Sequence, residues 1–213
     1  MHHVYVEGFL RFLATVRTWV VLAALLLPVA AEAQVIKLEA ENATLRGLTV
    51  DTTIPGYSGT GYVTGFAAPQ DSLVFTFPAM ASRYNLTIRY ASPAGARTTT
   101  AVVNGVASAL AFANNTGFAT LVAGHPTLQA GQNTVTIRTG QGYFAIDYIT
   151  LTPVPTVVVP LVNGRAEAEL GYRNYVTVAT SPTGFSGTGF VTGFTNSDTA
   201  NVNISFNAPM AGL

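Results

Sequence analysis

The sequence predicts an all-β protein, a jelly-roll β-sandwich, and three observations lead there. Apolar and polar side chains alternate in short runs that stop at Gly, Pro or Asn. No window shows a convincing helical period. Gly, Thr, Val, Asn and Tyr are abundant while Lys is nearly absent, a composition suited to strands and tight turns. A repeat sets the organisation. Gly56-Tyr57-Ser58-Gly59-Thr60-Gly61-Tyr62-Val63-Thr64-Gly65-Phe66 recurs at residues 184–194 with two Tyr→Phe exchanges, and Glu39-Ala40-Glu41 recurs as Glu167-Ala168-Glu169. Both recurrences share an offset of 128 residues. Solenoid repeats run about 20–50 residues, so the period points to a duplicated domain.

Taken in order, residues 1–33 read as a secretory signal peptide. Arg11 and Arg17 precede an apolar run from Trp19 to Ala31, and Ala31-Glu32-Ala33 has the form of a cleavage site. The run is short and broken by Pro28, against a membrane span of about 20 residues. The expectation is a secreted, extracellular protein that begins near Gln34 and has no membrane contact after cleavage. Trp19 is the only tryptophan and leaves with the leader. Zero formal charge, with 9% charged residues, argues against nucleic acid, which requires a basic patch. The absence of cysteine excludes disulfides and Cys-ligated zinc.

Residues 34–153 form the first module. Strands are expected over Val35–Glu41, Ser72–Pro78, Tyr84–Tyr90, Thr100–Val103, Phe118–Val122, Thr134–Thr139 and Phe144–Leu151. Asn104-Gly105 is a hairpin signal. The Gly-rich stretch at 56–66 reads as a turn entering a strand. A phosphate cradle would need a following Gly-Lys-Ser/Thr and a helix. About 120 residues suffice for one sandwich core. Residues 154–160 form a Pro/Val linker, extended because proline fixes φ and removes donors. Residues 161–213 read as the N-terminal part of a second module, lacking about half its strands and any counterpart of Asp147. Phe190, Phe194 and Phe206 are therefore expected to be short of packing partners, and the sequence reads as a piece of a longer protein.

Candidate metal ligands are Glu39, Glu41 and Asp147. On a strand, Glu39 and Glu41 share a face about 7 Å apart, and at an effective dielectric of 20 they repel by about 2 kcal/mol. Pairing of the terminal strands would bring Asp147 alongside. Carboxylates without nearby His or Cys select a hard, oxygen-liganded ion, for which structural Ca²⁺ is the natural choice. The alternative is solvated glutamates on an edge strand with Asp147 capping a turn.

Six motifs occur in order: Leu38-Glu39-Ala40-Glu41, the Gly-rich stretch from Gly56 to Val63, Ile88-Arg89-Tyr90-Ala91, Val103-Asn104-Gly105, Gly131-Gln132-Asn133-Thr134 and Ile146-Asp147-Tyr148-Ile149. Together, over residues 35–152, they resemble carbohydrate-binding module family 35, a galactose-binding-like β-sandwich family close to family 6. The resemblance implies a non-catalytic, calcium-stabilised module that tethers a glycan-degrading enzyme to plant cell walls, with Glu39, Glu41 and Asp147 as the calcium ligands. The loop at 140–147 resembles that of mannan-directed members, which often have Trp where Gln141 stands and a polar residue where Ala145 stands. This makes Tyr143 and Phe144 platform candidates, with Tyr57 a third. Arg89 matches an arginine that can reach a ligand hydroxyl or carboxylate. The expected partner is a polysaccharide, β-mannan first and then xylan or a uronic-acid-bearing glycan, bound by a monomer with two modules in tandem. Two other readings stay open. One is a glycoside hydrolase, since Glu39 and Glu41 fall within the carboxylate spacing of about 5–9.5 Å. The other is a structural or adhesive module without a sugar site.

Overall fold

In a computed structural model, residues 33–195 and 200–208 are described. Except for Ala33, the expected signal peptide lies outside them. The alternating runs become β1 (Ile36–Glu39), β2 (Thr44–Arg46), β3 (Thr49–Asp51), β4 (Tyr62–Thr64), β5 (Ser72–Ala79) and β6 (Ser82–Ser92). They continue as β7 (Arg97–Val103), β8 (Val106–Phe112), β9 (Asn115–Gly124), β10 (Thr127–Leu128), β11 (Gly131–Arg138) and β12 (Ala145–Pro153). One sheet has the order β10-β6-β12-β4-β3, with β9 on β6 and β1 on β12; the facing sheet runs β2-β5-β11-β7-β8. All these pairs are antiparallel, which gives the expected all-β sandwich. Asn104 and Gly105, at φ 47° and 87°, make the tight two-residue turn between β7 and β8. β8 escaped the sequence pattern because only Leu110 and Phe112 turn inward from an otherwise exposed edge strand.

The alternation selects the core: Leu73, Phe75 and Phe77 of β5, Val135 and Ile137 of β11, and Leu86 and Ile88 of β6 are all buried. Aromatic rings close one end, with Phe66 stacked on Phe144 at 4.2 Å, Phe144 tilted against Phe112 at 5.0 Å, and Phe112 stacked on Tyr90 at 4.3 Å.

The first expected strand ends early. β1 stops at Glu39 and the chain turns through a 3-10 segment, Ala40–Asn42, closed by the Ala43 N–H to the Ala40 carbonyl at 3.1 Å. β1 belongs to one sheet and β2 to the other, so the chain must cross between layers here. Glu39 and Glu41 are therefore not neighbours on one strand face.

Residues 161–208 repeat the opening of the fold. After a short hairpin of β13 (Leu161–Val162) and β14 (Arg165–Ala166), a second 3-10 turn leads to β15 (Tyr172–Asn174), β16 (Thr177–Ala179), β17 (Phe190–Thr192) and β18 (Asn201–Asn203). The pair Val50↔Val63 returns as Val178↔Val191, both 128 residues on. Thr44↔Val74 returns as Tyr172↔Asn203, its second member shifted by 129, so the loop before β18 is one residue longer. The segment between the repeats is tied down. The Val154 N–H donates to the Arg83 carbonyl at 2.8 Å and the Val159 N–H to the Ser205 carbonyl at 2.7 Å, and both valines are buried.

Packing separates the repeats. Phe66 is 1% exposed and its counterpart Phe194 is 56% exposed. Phe206 is likewise exposed. Truncating equivalent residues should therefore have unequal effects. In urea unfolding, Phe66→Ala should cost about 3–5 kcal/mol, whereas Phe194→Ala should stay within about 0.5 kcal/mol of the parent. Equal losses would contradict the packing described.

Candidate functional site

The pairing of β1 with β12 sets Glu39 opposite Tyr148 and so beside Asp147. The β6–β12 register slips between Ile146 and Tyr148, which leaves Asp147 at a bulge. A bulge re-aims the side chain it carries. Asp147 is fully buried. Its Oδ1 accepts the Ser58 N–H at 2.8 Å, and its Oδ2 is paired with the Arg89 guanidinium. Arg89 also donates to the Gly56 carbonyl at 2.8 Å. Burial pushes the Asp147 carboxyl above the usual aspartate range, opposed by the Ser58 N–H and by Arg89.

The same loop grips both glutamates. Glu39 Oε1 accepts the Ser58 hydroxyl at 2.8 Å and pairs with Lys37 Nζ at 2.8 Å. The Lys37 ammonium lies over the Tyr148 ring at 4.1 Å, and Glu39 is the main reason its pKa is raised. Glu41 Oε1 accepts the Thr60 N–H at 2.7 Å. Gly59, at φ +64°, is pressed against these acids: a Cβ there would lie 2.1 Å from Glu41 Oε1 and 3.4 Å from the Glu39 carboxyl carbon. The second oxygens, Glu39 Oε2 and Glu41 Oε2, are buried without a hydrogen-bond partner.

Two buried anionic oxygens without donors suit a hard cation. The three expected ligands do meet at one loop, but both oxygens of Asp147 are engaged by Ser58 and Arg89. Among the described residues no three Asp, Glu, His or Cys side chains form a metal-holding group. The free donors are those of Glu39 and Glu41. The repeat rebuilds the clasp: Ser186 Oγ donates to Glu167 Oε2 at 2.8 Å, the Thr188 N–H to Glu169 Oε1 at 2.8 Å, and a Cβ on Gly187 would lie 2.1 Å from Glu169 Oε1. Backbone N–H groups of Glu169 itself and Thr188 hold the Glu169 carboxyl below its usual range.

The expected aromatic platform divides. Tyr143 is 67% exposed and left-handed, at φ 57°. Such a conformation in a bulky residue costs about 1–3 kcal/mol and persists only where its surroundings impose it. Here the Tyr143 N–H bonds the Phe66 carbonyl at 3.0 Å, and Gln141 is bound through both its N–H and its side chain to the backbone of Thr98. The Arg97 guanidinium sits 5.9 Å from the Tyr143 ring. Phe144 is a correction: 1% exposed and stacked on Phe66, it offers no face to a ligand. The left-handed turn at Tyr143 breaks the strand alternation and sends the next side chain inward. Tyr57 is half-buried, tilted against Tyr62 at 6.2 Å. Arg89, with Asp147 and Gly56 as partners and its guanidinium 5.0 Å from the Phe118 ring, is part of the clasp. The sequence reading missed Ser58, Lys37 and Phe118. Ser58 left a signal in its recurrence as Ser186.

The family model "Carbohydrate binding module (family 35)" matches residues 36–154. A mannan endo-1,4-β-mannosidase of Thermothelomyces thermophilus is 43% identical over 117 residues, 54% of this chain and 24% of that protein. A crystal structure of a Podospora anserina GH26-CBM35 β-(1,4)-mannanase superposes with a TM-score of 0.56 at 38% identity, covering 65% of this chain and 32% of that one. A family 35 module from Clostridium thermocellum shares the fold, with a TM-score of 0.51 at 21% identity, covering 56% of this chain and 98% of that one. The chain spans about a quarter of the curated relatives it matches.

The clasp makes a mutational prediction. Gly56 and Gly59 both have positive φ, but nothing lies within 4 Å of a Cβ on Gly56. Gly59→Ala should therefore cost at least about 1 kcal/mol more than Gly56→Ala in urea unfolding, the excess coming from the carboxylate contact. Equal costs would remove the contact from the account.

Proposed function

The chain belongs to carbohydrate-binding module family 35, and on that premise we propose that residues 36–154 hold a secreted glycan-degrading protein on β-mannan. The module itself is non-catalytic. Tyr143 is the observation that carries the reading: an exposed tyrosine is held in a costly left-handed turn by Phe66, Thr98 and Gln141. A flat ring stacks on the C–H face of a sugar, and nearby polar groups take its hydroxyls. Relatives that pair this module with mannanase chains support mannan as the ligand. Tyr57 is a secondary contact. Xylan and uronic-acid glycans rank lower, because the route to them ran through Arg89, which Asp147 engages. Tyrosine gives a smaller platform than indole, so each site binds weakly. The repeat at 161–208 supports a tandem pair, which raises avidity through effective concentration. Secretion rests on the apolar run from Trp19 to Ala31. The protein acts as a monomer.

A structural Ca²⁺ completes the proposal. Glu39 and Glu41 would hold it through their donor-free oxygens, and it would supply the positive charge the clasp lacks. Asp147 acts beside it by fixing Ser58 and Arg89. A glycoside hydrolase role for the two glutamates is disfavoured, because Ser58 and Thr60 each engage one of their oxygens and Gly59 is pressed against both carboxylates.

Two measurements test this. In affinity gels, mannan should retard the chain, and Tyr143→Ala should abolish the retardation while leaving the thermal melt unchanged. If neither mannan nor xylan retards it, the adhesive reading takes over. In melts, calcium at 100 times its dissociation constant should add about 2.7 kcal/mol over chelator, and Glu41→Gln should erase the difference. Identical melts of the parent would rule out the cation.

A further inference from the structure

The face of β6 that points away from the core carries a polar chain leading into the repeat. Tyr84 and Leu86 are buried, so Arg83 and Asn85, which alternate with them, turn outward together. The Arg83 guanidinium donates to Asn203 Oδ1 at 2.9 Å, and Asn203 Nδ2 donates to Asn201 Oδ1 at 3.0 Å. Asn201 Nδ2 lies 3.3 Å from His125 Nε2, and His125 Nδ1 lies 2.6 Å from Asn85 Oδ1. Arg83, Asn85 and His125 belong to the first module, Asn201 and Asn203 to β18 of the repeat.

This relay has one direction. A guanidinium carries donors only, so Arg83 holds the Asn203 oxygen toward itself and turns the amide nitrogen toward Asn201. Asn201 takes the same orientation and presents its nitrogen to His125. His125 Nε2 must therefore accept, which puts the imidazole proton on Nδ1, where the Asn85 oxygen takes it. Turning either amide over would set donor against donor. The backbone closes the ring. The Arg83 carbonyl accepts the Val154 N–H at 2.8 Å and the Ser205 carbonyl accepts the Val159 N–H at 2.7 Å, so the linker is fastened at both ends. Asn201 and Asn203 stand where the first module has Ser72 and Val74. The relay thus serves the contact between the copies and is no part of the repeated fold.

We propose that this face of β6 is a docking surface for β18 of the repeat, and that the two copies move as one body. Among the described residues β18 forms a sheet with β15 alone. A two-stranded ribbon is marginal by itself, and docking on β6 adds the fastening it lacks. A gap of about 250 Å³, lined by Arg83, Pro155 and Asn203 among others, lies between the copies. Directed hydrogen bonds, not close packing, therefore set the orientation. The inference rests on the tandem reading and not on mannan. Whichever ligand the modules take, their spacing is fixed, so the gain in avidity depends on how well a polymer matches that span, unlike two modules on a flexible linker. The repeat's own glutamate grip lies outside the contact, because the bond from Thr188 to Glu169 is local.

The test is NMR of the full chain in mildly alkaline buffer. Residual dipolar couplings from residues 36–153 and 161–208 should fit one alignment tensor, and the His125 ring should carry its proton on Nδ1. N201S/N203V installs the first module's own residues at those positions. It should split the couplings into two tensors and speed exchange of the Val159 amide at least tenfold, while Ile88 in the core and Thr188 in the local grip keep the parent rates. Arg83→Met, which leaves the repeat's sequence intact, should loosen the pair in the same way. These readouts need no ligand, so a parent that fits one tensor yet is not retarded by mannan would uphold this inference while the mannan reading fails. Two tensors in the parent would overturn the single body. A proton on Nε2, or parent exchange rates in both variants, would overturn the relay.

Discussion

The buried carboxylate of Asp147 is the constraint on which the loop architecture depends. Withdrawing an ion from water costs several kcal/mol unless charge and hydrogen bonds replace the solvent. Arg89 and the Ser58 N–H make that replacement, and each partner then fixes something more. Arg89 holds the Gly56 carbonyl, and Ser58 turns its hydroxyl to Glu39. Gly59 is thereby laid on Glu41, where no side chain fits. A single acid at a β-bulge thus dictates a Ser-Gly sequence 89 residues away. The replacement is incomplete, since burial still pushes the carboxyl upward. A raised folded pKa means the native state binds the proton more tightly than the unfolded chain. Stability from this group is therefore greatest at low pH, falls as pH rises from the ordinary aspartate value through the raised one, and stays reduced above it. At neutral pH, three carboxylates face two cations, and positive charge at Glu39 and Glu41 would offset the deficit.

Much of this was legible in the sequence because the information was local or periodic. Leu73, Phe75 and Phe77 alternate and face the core; Asn104-Gly105 makes its turn; and the terminal strands pair, so Asp147 reaches Glu39. What the pattern missed has a common cause in demands imposed from elsewhere in the fold. The chain bends at Ala40 because β1 and β2 lie in different sheets, which no feature of Leu38-Glu39-Ala40-Glu41 announces. Phe144 turns inward because Tyr143 is left-handed, so counting alternation through the loop gives the wrong face. Arg89 looked like a ligand contact because the bulge that aims Asp147 at it is a property of the β6–β12 register.

The repeat shows which half of the clasp is self-sufficient. The bond from Thr188 to Glu169 spans 19 residues, as does that from Thr60 to Glu41, and both form. The contact of Ser58 with Asp147 has no described counterpart in the repeat. Local closure costs little chain entropy and long-range closure costs more. The glutamate grip can therefore form before the sandwich closes, while the Asp147 bond requires β12 in place. The same separation accounts for the aromatics: Phe66 is buried because β12 brings Phe144 to it, and among the described residues Phe194 has no such partner.

Charge is sparse enough here that its placement carries meaning. Only 9% of residues are charged. In the first module the Lys and Arg side chains are spoken for, except on the face bearing Arg46 and Arg138. Exposed arginines are ordinary on a heavily charged surface, where salt bridges and counterions blur their roles. On a nearly neutral sheet face of Thr, Ser and Val, two forks flank one serine, and the acid beside them, Asp71, is held through its Oδ2 by the N–H groups of Ala67 and Ala68.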